Sequence, residues 1–197
     1  MRIAVGWGLG CVLAVFIVVP AMARADPPAA DFVAGWEARV RAVHASLSGD
    51  AALALGHCRE FVAAMLDLDT MAHAAAAANW ARMSAAQRAA YRNAFDDRIA
   101  EECVRRVGDY DGERFEIMGM RLTSDGERIV IASLGPPATS HRTIAWRLRP
   151  AAGGGLRAVD VIIEGRSQLA EARDDFARVL ANNRDDIDAS IAALRQR

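Results

Sequence analysis

The sequence predicts an α+β domain, and three observations predict it. Helical periodicity runs through the chain to about residue 108, strand-forming runs occupy 114–164, and helical periodicity returns near 167. The breaks between strand runs are short turn sequences, which join antiparallel neighbours; parallel neighbours need a long crossover. Helices and strands segregated along a chain pack as α+β. Hydrophobic residues make up 53% and charged residues 25% of 197, which fits a globular domain and excludes disorder, collagen-like repeats and a coiled-coil rod. The length suits one domain, residues 26–197.

Taken in order, Phe32, Trp36, Val40, Val43 and Leu47 form one face of a first helix, with Gly49 just past its end. A second helix is expected from about Asp50 to Leu66, and an alanine-rich third from Asp69 to Asn79. Ser84-Ala-Ala-Gln87 is a capping box, in which the Ser oxygen accepts from a free backbone N–H and the Gln reaches back. The long helix after it carries Tyr91, Phe95, Ile99 and Cys103 on one face and stops near Gly108. Four strand runs follow: Arg114–Leu122, Arg128–Leu134, Arg142–Arg149 and Leu156–Glu164. Asp125-Gly126, Gly135-Pro136-Pro137 and Gly153-Gly154-Gly155 punctuate them, so a four-stranded antiparallel meander curling around its helices is expected. Helices over about Ser167 to Asn182 and from about Asp185 complete the chain.

The first 25 residues read as a secretory signal peptide rather than as part of the fold. Arg2 precedes an apolar run from Ile3 to Val19, Pro20 breaks it, and Ala23 and Ala25 each offer a small-residue cleavage site. The run is short for a membrane span, which needs about 20 residues. The mature chain is therefore expected to be exported and soluble. Two cysteines remain, Cys58 and Cys103, each on an apolar helical face. Export favours a disulfide between them, with two separate buried thiols as the alternative. A bridge would close a loop of about 45 residues, worth roughly 4 kcal/mol in the chain-entropy model.

The net charge is −1, from 24 basic residues, all arginine, against 25 acidic ones. That balance gives no electrostatic reason to bind nucleic acid. Catalytic motifs are missing: there is no GxSxG, P-loop, GxGxxG or HExxH, and no Cys/His spacing that would hold zinc. His44, His57, His73 and His141 are scattered. Asp67 and Asp69 suit a helix N-terminus, where acids are stabilised. Asp160 and Glu164 flank Val161-Ile162-Ile163; they could do acid/base work, but one wet strand face explains them more simply. No catalytic residue, metal ligand or cofactor is assigned, and a monomer is expected.

Two stretches carry a resemblance that covers about two-thirds of the chain. One is Asp67-Leu-Asp-Thr-Met-Ala, then Asn79-Trp80, Ser84-Ala-Ala-Gln-Arg88, Tyr91 and Phe95. The other is Val159-Asp160-Val-Ile-Ile-Glu-Gly165, then Ser167, Arg173 and Phe176. Their order resembles the MlaC family, also called the toluene-tolerance auxiliary family. Ala77-Ala78 stands where that family usually has Leu-Gly, and Ala158-Val159 where an aromatic is common. The resemblance implies a curved sheet with helices packed on it, enclosing a deep apolar pocket for a phospholipid carried as cargo. It implies transit through the periplasm between an outer-membrane lipoprotein complex and an inner-membrane ABC transporter with an MCE-domain ring. An offshoot of the family occurs beside hopanoid biosynthesis genes, which makes a hopanoid the alternative cargo.

For the pocket wall, helix faces give Phe61, Met65, Met71, Tyr91, Phe95 and Ile99, and strand alternation gives Ile117, Ile131, Trp146, Val161 and Ile163. Ordinary core packing uses the same residues. The sequence shows no lysine and no compact basic cluster, so binding is expected to be directed at acyl tails. Headgroups of equal chain length should then differ by less than about tenfold, roughly 1.4 kcal/mol. Arg142, Arg147 and Arg166 are the candidates to touch a phosphate, with surface solvation the simpler reading of each. Two rival functions make different predictions. An enzyme using Asp160 or His141 as base would hold a buried acid in its cavity, and an interaction module would have a solid core.

Overall fold

The computed structural model describes residues 27–47, 51–135 and 142–196. The expected signal peptide, Gly49, Asp50, Pro136-Pro137 and His141 lie outside the described residues. Two helices open the fold, α1 (Pro27–Ser46) and α2 (Ala51–Met65). On α1 the buried face is Ala29, Phe32, Val33, Val40 and Val43; on α2 it is Ala54, Cys58, Phe61, Val62 and Met65. Asp67 caps α3 (Leu68–Ala76), accepting from the Thr70 N–H at 3.1 Å. A single turn, α4 (Asn79–Arg82), was not expected from the sequence. The Ser84–Gln87 capping box starts α5 (Ala85–Gly108), with both reciprocal bonds present.

The strands are β1 (Phe115–Leu122), β2 (Arg128–Leu134), β3 (Arg142–Pro150) and β4 (Leu156–Ile163), close to the expected runs. A two-residue β5 (Arg166–Ser167) makes the sheet five-stranded rather than four-stranded, in the order β1-β2-β3-β4-β5 and antiparallel throughout. Glu164 and Gly165 join β4 to β5 with φ of 50° and 76°, the positive values that a tight two-residue hairpin demands. The register shifts between Ile117 and Gly119 and between Arg147 and Leu148. Such bulges bend and twist the sheet locally, which is how a meander curves. Finally, α6 (Gln168–Asn182) and α7 (Ile187–Leu194) close the chain.

The helical layer is tied to the sheet by backbone as well as by packing. Leu66 bridges to Ala158, and the Asp67 N–H donates to the Ala158 carbonyl at 2.8 Å. Arg157 donates to the carbonyls of Ala63 and Leu66 where α2 ends, a point at which free carbonyls favour a cation. Cys58 on α2 and Cys103 on α5 form a disulfide, with a Cα–Cα distance of 5.9 Å. Among the described residues, no helix is long and apolar enough to cross a membrane.

Candidate functional site

Sheet register decides which strand residues meet the helices. Leu134 pairs with Phe115 and Arg142, Ile144 with Ile163, and Trp146 with Val161. These positions share the inner face. Opposite them stand Trp36 and Val40 of α1, Phe61 and Val62 of α2, Met71 of α3, and Ile99, Cys103 and Val107 of α5. Between the two walls the core is hollow, with a cavity of about 210 Å³. Aromatic rings act as a spacer between α1 and the sheet. Trp36 meets Phe61 edge-on at 4.8 Å and Trp146 at 5.4 Å, and Trp146 also meets Phe32 and Phe115.

The cavity's polar groups gather at one end. In an antiparallel meander the start of β1, the end of β2, the start of β3 and the end of β4 lie along the same end of the sheet. Glu113, Arg142, Thr143 and the last residues of α5 line the cavity there, together with Gln168 at the start of α6. Arg142 pairs with the buried Glu113. Arg106 Nε contacts Glu102 Oε1 at 2.5 Å, and Arg106 Nη2 donates to Gln168 Oε1 at 2.7 Å. A second space of about 420 Å³ lies between α5 and α6. Its floor is Tyr91, Phe95 and Phe176, and its sides are charged. The fold thus assembles arginines and acids from α5, β5 and α6 into a mixed-charge groove, with Arg98, Arg105, Arg106, Arg166 and Arg178 each paired to a carboxylate.

Of the predicted wall residues, Phe61, Met71, Ile99, Val161 and Ile163 lie on the apolar cavity. Tyr91 and Phe95 line the charged groove instead, because that face of α5 turns toward α6: Tyr91 packs on Phe176 at 4.6 Å between ring centroids. Ile99, further along α5, reaches both spaces. Met65 is buried off the cavity, and Ile117 is half-buried on the inner face without lining it. Trp146 is fully buried behind Trp36 and Phe115, supporting the wall rather than forming it. Ile131 must be corrected. It pairs with Ala145 on the outer face and is 42% exposed, whereas its neighbours Val130 and Ala132 point inward. Trp36, Val40, Val107, Phe115, Leu134 and Ile144 were missed, although Trp36 and Val40 sit on the apolar face that defined the first helix.

Asp160 also departs from expectation. It is 3% exposed, not on a wet face, because its strand end is covered where the chain turns into α6. One oxygen accepts from Ser167 Oγ at 2.7 Å and the other from the Leu169 N–H at 3.1 Å. Ser167 in turn caps α6, accepting from the Ala170 N–H at 3.0 Å. The Asp-Val-Ile-Ile-Glu-Gly stretch with Ser167 is thus a joint that fixes α6 against β4. Glu164 accepts from the Thr143 N–H, stitching the same corner. Arg147 donates to Glu127 at 2.7 and 2.9 Å on the outer face, away from both spaces. Burial, reinforced by the negative charge of Asp175, raises the Tyr91 hydroxyl far above its ordinary value. Among the described residues, no group of three or more His, Cys, Asp or Glu could hold a metal ion.

Comparison with known proteins agrees with this architecture. A phospholipid-binding protein from Ralstonia solanacearum, solved in complex with a phospholipid, superimposes with a TM-score of 0.66 at 16% identity. The match covers 83% of this chain and 94% of that one, and it shows a shared fold. No curated protein matches. Residues 38–196 match the MlaC protein family, and the chain belongs to that family.

Proposed function

We propose that the protein is a lipid carrier that holds acyl chains in the cavity between α1, α2, α5 and the sheet. The observation behind this reading is the hollow core: apolar walls on both sides, with polar groups confined to one end. Each methylene removed from water is worth about 0.8 kcal/mol, so every stretch of acyl chain held between the apolar walls opposes free release. A carrier must supply apolar wall and needs little reactive chemistry. Asp160, the best-buried acid in the family stretch, already has both oxygens occupied by structural donors.

The phospholipid bound by the Ralstonia solanacearum protein supports the same cargo class here. Family membership supports a periplasmic shuttle between an outer-membrane lipoprotein complex and an inner-membrane ABC transporter bearing an MCE-domain ring. Solvent extraction and mass spectrometry of protein purified from the periplasm test the reading. We expect an intact mass lacking residues through Ala25, or through Ala23, and a co-purifying phospholipid. A hopanoid in the extract would change the cargo, and an extract without lipid would contradict the carrier reading.

A further inference from the structure

Strand β1 is a free edge of the sheet: among the described residues it pairs with β2 alone. An edge strand turns alternate N–H and C=O groups outward, where another strand can take them. The faces of β1 follow from its partners. Phe115, Ile117, Met120 and Leu122 pair with Leu134, Ala132, Val130 and Arg128, so they share the inner face. Glu116, Gly119 and Arg121 pair with Ser133, Ile131 and Ile129 on the outer face, and alternation from Ile117 puts Met118 there too. A bulge commonly spoils an edge for pairing. This one does the reverse, because the shift at Met118 makes the order of faces read the same from either end of the strand. Without it, Phe115 and Leu122 would lie on opposite faces.

We infer that β1 pairs antiparallel with β1 of a second copy of this chain, about a two-fold axis between Met118 and Gly119. In that register like faces meet, and the chemistry across the axis is self-complementary. Phe115 lies opposite Leu122 of the second copy and Ile117 opposite Met120. Glu116 lies opposite Arg121, so that charge pair forms twice. Glu116 and Arg121 are both exposed and make no ion pair among the described residues. Gly119 supports the same reading independently. Its φ lies outside the left-handed region, and a Cβ there would meet nothing within 4 Å, so nothing among the described residues asks for glycine. Glycine inside a strand often marks a close approach by another chain segment, here Met118 of the second copy. Met118 and Leu122 are 67% and 63% exposed, the most among the described large hydrophobic residues, and the pairing covers both. Two five-stranded sheets join into one, and the helical layer with its cavity stays free. This dimer replaces the monomer expected from the sequence and does not depend on the carrier reading.

Sedimentation equilibrium of the purified protein, from micromolar to millimolar concentration, tests this. The wild type should show a reversible monomer–dimer equilibrium. Arg121→Glu sets two carboxylates against each other twice per dimer and should weaken association at least about tenfold. Glu116→Arg should do the same. The double exchange, Glu116→Arg with Arg121→Glu, should restore association to within about threefold of wild type. Both side chains are exposed, so none of these variants should move the thermal midpoint. Hydrogen exchange should find the outward amides of β1 protected in the dimer and open on dilution. A wild type that stays monomeric throughout overturns the inference. Slow exchange along β1 without a dimer also overturns it, and would mean that another part of the chain covers the edge. A dimer that both single reversals leave intact, or that the double exchange fails to restore, overturns it as well, since the contact would then lie elsewhere.

Discussion

At the scale of single residues, Asp160 shows how a family stretch can mark structure rather than chemistry. Its carboxylate is buried and accepts from Ser167 Oγ and the Leu169 N–H. Asp160→Ala would strand both donors at the start of α6. Hydrogen bonds to a charged group contribute about 1.5–3 kcal/mol, and a buried donor left unpaired costs a similar amount. We expect a loss of about 3 kcal/mol, read as a fall in thermal midpoint of roughly 6–12 °C; a midpoint within 2 °C or so of wild type would show that the joint is not needed. Tyr91 gives a second residue-scale prediction. Burial and Asp175 raise its pKa above the usual value near 10, so the unfolded chain ionises first. Its contribution to stability is complete below about pH 10 and is lost above it, at up to about 1.4 kcal/mol per pH unit. All 24 basic residues are arginine, so no lysine titrates in that window; Tyr110, whose hydroxyl burial also raises, shares it, and Tyr91→Phe separates the two. Urea unfolding from pH 8 to 12, with tyrosinate absorbance followed in parallel, should show stability falling as the unfolded state ionises. A flat profile would mean that neither tyrosine hydroxyl is shielded from solvent in the folded chain.

Among the elements, strands were easier to read than helix orientations, for a physical reason. A strand declares its faces by a period of two, and all four runs appear within a residue or so of the expected bounds. That period still leaves open which face is inner: Ile131 was assigned inward, yet Val130 and Ala132 turn to the core. Helices were legible as helices, but the apolar faces of α5 pack on two different neighbours. Tyr91 and Phe95 therefore meet α6, while Ile99, Cys103 and Val107 reach the cavity. Sequence periodicity says which side is buried and not against what. The mixed-charge groove was invisible for the same reason, because its arginines and acids come together only when α6 folds back along α5. The Cys58–Cys103 bridge joins two of the cavity's walls across 45 residues. Opening it should cost up to about 4 kcal/mol, measured by denaturant unfolding with and without reductant. Thiol titration of the denatured but unreduced chain should find neither Cys58 nor Cys103 free; free thiols at both would show that the bridge does not form.

For the whole molecule, the central claim is that the hollow core between the helical layer and the curved sheet is where lipid resides. The apolar lining comes from four helices and four strands, so no single element carries the site. Filling the hollow is therefore a more specific challenge than charging one wall. Ile163 lines the cavity from β4 and is only half-buried, which lets a larger side chain enter without overpacking the rest of the core. Native mass spectrometry of the purified mature protein, wild type beside Ile163→Trp, tests the claim most directly. We predict a bound lipid on the wild type and its loss from Ile163→Trp, with circular dichroism and thermal midpoint preserved. A wild type that carries no lipid, or a folded Ile163→Trp that retains the full complement, would contradict the account.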